Sequence, residues 1–159
     1  MKNKVYIETS VVSYLTARDS SSLVGAAHQL ITRQWWEKRH EFDLYISDLV
    51  VNECRSGDQN AAQRRIEALQ GIPSLTLDTR VFTISEALLQ RGIIPIKAAE
   101  DALHIAVATI HEVDYLLTWN FKHIANPFIQ KNIAIYMKEI GLLLPFICSP
   151  EELLGDTDE

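Results

Sequence analysis

Glycine is scarce in this 159-residue chain, and its six copies never gather into a loop able to cradle a phosphate after the first apolar run. That counts against a flavodoxin-like or phosphate-binding domain. Cysteine is scarcer still. Cys54 and Cys148 form no motif and read as two reduced, half-buried thiols without chemistry of their own. Positive charge is in deficit: 15 Lys and Arg stand against 21 Asp and Glu, for a formal charge of -6. A protein that coats nucleic acid by bulk electrostatics needs the opposite balance, whereas an enzyme whose acids hold divalent cations does not. No apolar run approaches bilayer-spanning length, and Met1-Lys2-Asn3-Lys4 leads into Val5-Tyr6-Ile7-Glu8 rather than into a signal-type core. No membrane association and a cytoplasmic location are therefore expected.

What the chain does have is alternation of short apolar runs with amphipathic stretches. Val5 to Ile7 reads as a strand handing over at Glu8-Thr9-Ser10 to a short helix through Val11, Val12, Tyr14 and Leu15. Leu23, Ala26, Ala27, Leu30, Ile31, Gln34 and Trp35 then lie on one face of a long helix. Leu44-Tyr45-Ile46 predicts a second strand, with Ser47 capping a helix from Asp48 to about Ser56 that Gly57 stops. A helix over Gln59 to Gln70, a third strand over Pro73 to Leu77 and a helix capped by Thr79 and closed by Gly92 follow. After an irregular segment, a helix begins at Ala98. A fourth strand spans Asp114 to Thr118, a helix runs from about Ile129 to Ile140, and a fifth strand covers Pro145 to Cys148. Ser149-Pro150-Glu151-Glu152 carries a cap, a first-turn proline and a capping-box glutamate. The fold class expected is α/β, a three-layer α/β/α domain over 1–154 with a central, mainly parallel sheet, then a polar tail over 155–159.

In such sheets ligands bind beyond the carboxyl ends of the strands. Glu8 leaves the first strand there, Glu53 follows the second, Asp101 opens a helix returning from that edge, and Asn120 follows the fourth. Taken singly, each acid reads as a solvated or dipole-complementing side chain. Together, three carboxylates and an amide make a hard oxygen cage suited to Mg²⁺ or Mn²⁺. Glu100, beside Asp101, reads as complementing the helix dipole.

Val5-Tyr6-Ile7-Glu8-Thr9-Ser10, Ile46-Ser47-Asp48-Leu49-Val50-Val51-Asn52-Glu53 and Glu100-Asp101-Ala102-Leu103-His104-Ile105-Ala106-Val107-Ala108, followed by Asp114-Tyr115-Leu116-Leu117-Thr118-Trp119-Asn120, resemble the PIN-domain family. That family includes VapC-type toxins and other metal-dependent ribonucleases, and the resemblance spans nearly the whole domain. It implies a metal site at Glu8, Glu53 and Asp101, with Thr9 and Thr118 as nearby hydroxyls. It further implies cleavage of single-stranded RNA, a homodimer, and an antitoxin partner where the chain is a toxin. Two positions depart from the pattern. Glu8 stands where aspartate is usual, and Asn120 where a fourth acid is common. A catalytically degenerate domain that binds RNA or protein is therefore the rival reading.

Lys97, Lys122 and Arg55 are the nearest phosphate-contact candidates, each equally readable as a solvated cation. Asp101 with His104 and Glu37 with His40 share the i, i+3 spacing of di-iron carboxylate bundles, but the strand-rich order does not suit that scaffold. His104 reads instead as supporting Asp101, or as core. Of Trp35-Trp36, one ring is expected in the core and the other partly exposed.

Overall fold

The apolar runs become strands and the amphipathic stretches helices in a computed structural model, which describes residues 1–155. Residues 156–159 of the expected polar tail lie outside the described residues. In chain order the elements are β1 (Lys4–Ile7), α1 (Thr9–Thr16), α2 (Leu23–Glu37), β2 (Asp43–Ser47), α3 (Asp48–Cys54), α4 (Gln59–Ala68) and β3 (Ser74–Leu75). Then come α5 (Thr79–Gln90), α6 (Ala99–Ile110), β4 (Tyr115–Leu117), α7 (Pro127–Glu139), β5 (Phe146–Cys148) and α8 (Pro150–Leu154). The five strands form one all-parallel sheet in the order β3-β2-β1-β4-β5. With right-handed crossovers, the connections running from β1 to β3 place α1 to α4 on one face, and those leading on to β4 and β5 place α5 to α7 on the other. The contacts agree, since α1 packs on α2, α3 and α4 while α5 packs on α6.

β1 is central because its sequence allows burial on both faces. Val5, Tyr6 and Ile7 are all fully buried, and each apolar side chain of this size contributes about 1.5–3 kcal/mol when removed from water. Val5 pairs with Leu44 on one side and Tyr115 on the other, and Ile7 lies level with Leu117. Chain order reverses between β1 and β4, which opens a crevice at their carboxyl ends.

Several boundaries differ from the expected ones. β3 is two residues long, because β2 ends at Ser47 and leaves Thr76 and Leu77 no partner. Asp78 rather than Thr79 caps α5, its carboxylate accepting from the Val81 amide. Ser47 stands at the cap position of α3 without capping it, because its hydroxyl is bonded elsewhere. α7 starts at Pro127, capped by Asn126. Trp35 is fully buried and Trp36 half-buried beneath Arg39, while both cysteines are buried free thiols.

The cap of α8 forms as expected: Ser149 accepts from the Glu152 amide and the Glu152 carboxylate accepts from the Ser149 amide. α8 packs on α2. Ser149→Ala should cost about 1 kcal/mol, seen as a fall in Tm of roughly 2–4 °C. An unchanged melting curve would show that packing alone fixes this helix.

Candidate active site

Glu8 terminates β1 at the crevice. Its amide continues the sheet by donating to the Leu117 carbonyl (3.0 Å), and its extended backbone makes it the N-cap of α1. The side chain turns inward, only 5% exposed. Oε1 accepts from the hydroxyls of Ser10 (2.5 Å) and Thr118 (2.6 Å), and Oε2 from the Ser10 amide (3.1 Å). A buried carboxylate is tolerable because it collects such donors.

Glu53, on α3, comes in from the next strand. Its Oε1 accepts from Thr9 Oγ1 (2.5 Å) and pairs with His104 Nε2 at 2.7 Å. Thr9 thus serves the second acid and Thr118 the first. His104 is fully buried, and its Nδ1 meets the Tyr6 hydroxyl at 2.8 Å, which in turn meets Ser47 Oγ at 2.8 Å. A chain Ser47, Tyr6, His104, Glu53 therefore runs from below the sheet edge to the crevice. With a neutral imidazole, Tyr6 donates to Nδ1 and Ser47 donates to Tyr6. With an imidazolium, Nδ1 donates to Tyr6 and Tyr6 donates to Ser47. Every partner is satisfied in either state.

Asp101 and Glu100 open α6 and turn to different partners. Asp101 Oδ2 pairs with His123 Nδ1 at 3.2 Å. Glu100 is the one whose carboxyl group and that of Glu53 influence each other's ionisation. Glu100 and Asp101 stand four and three residues before His104, so both spacings allow a shared face, and the rotation of α6 against α3 turns Glu100 toward Glu53. His104 accordingly supports Glu53 rather than Asp101. Asn120 lies on the loop after β4, and its side-chain oxygen accepts from the amides of Lys122 (3.2 Å) and His123 (3.1 Å). It shapes that loop with the atom expected to serve as a ligand. Among the cations, Lys97, Lys122 and Arg55 are all exposed.

These contacts set the charges. Burial opposes ionisation of Glu53, but the bond and charge of His104, with Thr9 and Glu100 donating, bring its pKa down to about 2. Burial likewise disfavours the His104 imidazolium, yet the Glu53 bond and the charges of Glu8, Glu53 and Asp101 outweigh it and hold it above the usual histidine range. The bond to Glu53, then burial and neighbouring charge, raise Glu100. Burial holds the Tyr6 phenol protonated at all ordinary pH.

A pH signature follows. The depressed Glu53 contributes stability above its unperturbed 4.5 that is lost as pH falls towards about 2. The elevated His104 contributes below its unperturbed 6.5 and loses that contribution as pH rises through its folded value. Both are present together between 4.5 and 6.5, while the raised Glu100 contributes fully below 4.5 and loses its contribution as pH rises through its folded value. Urea unfolding of metal-free protein should peak in that window, and His104→Gln should flatten the alkaline limb. A profile of unchanged shape in the variant would refute the assignment.

The donor set is hard oxygen, and two carboxylates in contact favour either a shared proton or a cation between them. In chemistry the acids fit Mg²⁺ or Mn²⁺. In geometry they do not close on one point, since among the described residues no three of His, Cys, Asp and Glu are gathered closely enough to hold a metal ion. Glu8, Asp101 and Asn120 each have protein partners instead. Tyr6, Ser10, Glu100 and His123 belong to the site although their sequence context did not single them out as part of it. A tyrosine in a strand buried on both faces was the available signal, because its hydroxyl must find a partner.

No family model matches the chain. No curated protein sequence matches it either. Among solved structures, a chain of the crystal structure of VapBC2 from Rickettsia felis bound to a DNA fragment from their promoter shares its fold. The TM-score is 0.52 at 15% identity, covering 92% of this chain and 98% of that one. At this identity the likeness is one of fold, and the PIN-like α/β/α architecture expected from the sequence is present.

Proposed function

We propose that the crevice between β1 and β4 is the active site of a divalent-metal-dependent ribonuclease acting on single-stranded RNA. The observation that carries this reading is the bonding that brings two buried or half-buried acids to the topological switch point, Glu8 held by Ser10 and Thr118 and Glu53 by His104 and by Thr9, the residue next to Glu8. Glu8, Glu53 and Asp101 would hold Mg²⁺ or Mn²⁺, joined by Glu100. When bound, the ion would lower the pKa of a water and stabilise charge on a phosphate under in-line attack. The chain's own residues do the rest. Thr9 and His104 fix one oxygen of Glu53, leaving the other for a ligand, while Ser10 and Thr118 hold Glu8. Asn120 shapes the loop after β4 that carries Lys122 and His123.

The neighbouring fold belongs to a VapBC2 complex, which supports a toxin role with an antitoxin protein as partner. A homodimer and a cytoplasmic location go with that role. No helix among the described residues is long and apolar enough to cross a membrane. One observation favours the rival reading of a degenerate binding domain: the Asn120 oxygen and the Glu8 carboxylate are already engaged by protein donors. Titration with Mn²⁺, followed by incubation with single-stranded RNA, separates the two. Metal-dependent cleavage supports the nuclease, RNA binding without turnover supports the degenerate domain, and absence of both metal binding and cleavage refutes the enzyme.

A further inference from the structure

Beside the acids lies a cluster of four aromatic rings that the proposed chemistry does not use. Trp119 directly follows Thr118, and its amide donates to the same Ser10 hydroxyl that holds Glu8 (2.9 Å). Its indole Nε1 donates to Thr32 Oγ1 at 2.8 Å, which locks the ring, and only 7% of the residue is exposed. His28 of α2 stacks on it, with ring centres 3.9 Å apart and planes 17° apart. Tyr14 of α1 packs edge-on to His28 (5.2 Å, 85°). Phe121 stands edge-on to both Trp119 (5.9 Å, 85°) and His28 (6.4 Å, 78°).

Phe121 differs from the rings beneath it in being 50% exposed. It is braced by them and free on its outer side. An exposed cation, Lys122, follows it in sequence, on the loop that links Glu8 (through Thr118) to Asp101 (through His123). An aromatic face beside a lysine at a phosphodiester site is the pairing that unpaired nucleotides use, the ring stacking a base and the cation meeting the adjoining phosphate. His28 Nδ1 is buried without a hydrogen-bond partner, leaving unused polar capacity within the same cluster.

We infer that Phe121, supported by Trp119 and His28, is a stacking platform for an unpaired nucleobase next to the phosphate at the acids, with Lys122 contacting the neighbouring phosphate. This rests on the ribonuclease reading for the identity of the ligand, and it makes Phe121 a determinant of single-strand selectivity. A stacked base contributes enough for a roughly 10-fold change in affinity on removal of the ring.

The test is fluorescence anisotropy in EDTA with a labelled oligouridylate and with an abasic ribose-phosphate oligomer of equal length. Wild type should bind the base-bearing oligomer about 10-fold more tightly. Phe121→Ala should abolish that preference and leave abasic binding unchanged, while Phe121→Trp should retain it. Matching far-ultraviolet circular dichroism and Tm would establish that both variants fold. Equal binding of the two oligomers by wild type, or a preference unaffected by Phe121→Ala, overturns the platform and leaves Phe121 a protein-docking or merely exposed ring. Cleavage in Mn²⁺ is scored separately. A base preference without cleavage removes the nuclease and keeps the platform, whereas cleavage without a Phe121-dependent preference does the reverse.

Discussion

Replacing Glu53 with Gln should reduce Mn²⁺-dependent cleavage of single-stranded RNA by at least on the order of 10²-fold, the scale of losing one preorganised electrostatic group. Gln preserves the shape and can still accept from Thr9 and His104, so the fold should survive while the negative charge is removed. Glu100 then faces a neutral amide instead of a carboxylate, and the cation loses its strongest reason to enter. The Mn²⁺ dependence should therefore shift to higher concentration as well as lower maximum rate. Asp101→Asn should also impair cleavage, but it additionally alters the contact of this side chain with His123 Nδ1. Cleavage undiminished in both variants would mean that the site lies elsewhere or that a contaminant is at work.

His104→Ala should be the most destabilising single change in the crevice, at about 3 kcal/mol. It removes a fully buried ring, leaves the Tyr6 hydroxyl with Ser47 alone and leaves Glu53 without its imidazole partner. Breaking a fully buried pair costs about 3–5 kcal/mol, and the lower end applies because the Glu53 side chain is 23% exposed and water can reach it. Tyr6→Phe keeps ring packing and deletes one hydroxyl, so about 1–2 kcal/mol is expected. In a chain of this length these correspond to falls in Tm of roughly 6–12 °C and 2–8 °C. Chemical denaturation of the three proteins at one pH checks the order, and equal losses would show that the His104–Glu53 pair adds nothing beyond the Tyr6–His104 bond that both variants remove.

The helices and four of the five strands were legible because periodicity and caps are local properties. Ser149 with Glu152 is the clearest case, a cap that needs nothing beyond four residues. In α2, however, the buried face is Gly25, Gln29, Thr32 and Trp35, while Leu23, Ala26, Ala27 and Leu30 of the expected face are exposed. Where reading failed, a distant partner decided. Ser47 has the chemistry of a cap, but Tyr6 claims its hydroxyl from another strand. β3 has the residues of a longer strand, but β2 turns into α3 and leaves it unpaired. Glu100 and Asp101 are adjacent acids in a first turn, and helix geometry points them in different directions. Which of them faces Glu53 depends on how α6 is rotated against α3, and only packing fixes that. His104 gave no discrimination, since it stands i+4 from Glu100 and i+3 from Asp101 and either spacing marks a shared face.

The order of strands also decides when a functional site can exist during folding. Glu8 receives Thr118 across 110 positions of sequence, and Glu53 receives His104 across 51. Closing such loops costs chain entropy before any contact returns it, so these pairings form late and topology of this kind folds slowly. β1 gains its second neighbour only once β4 docks. A chain emerging from the ribosome thus carries its acids unassembled until residue 118 is free to fold, and any fragment ending before Leu117 lacks the crevice altogether.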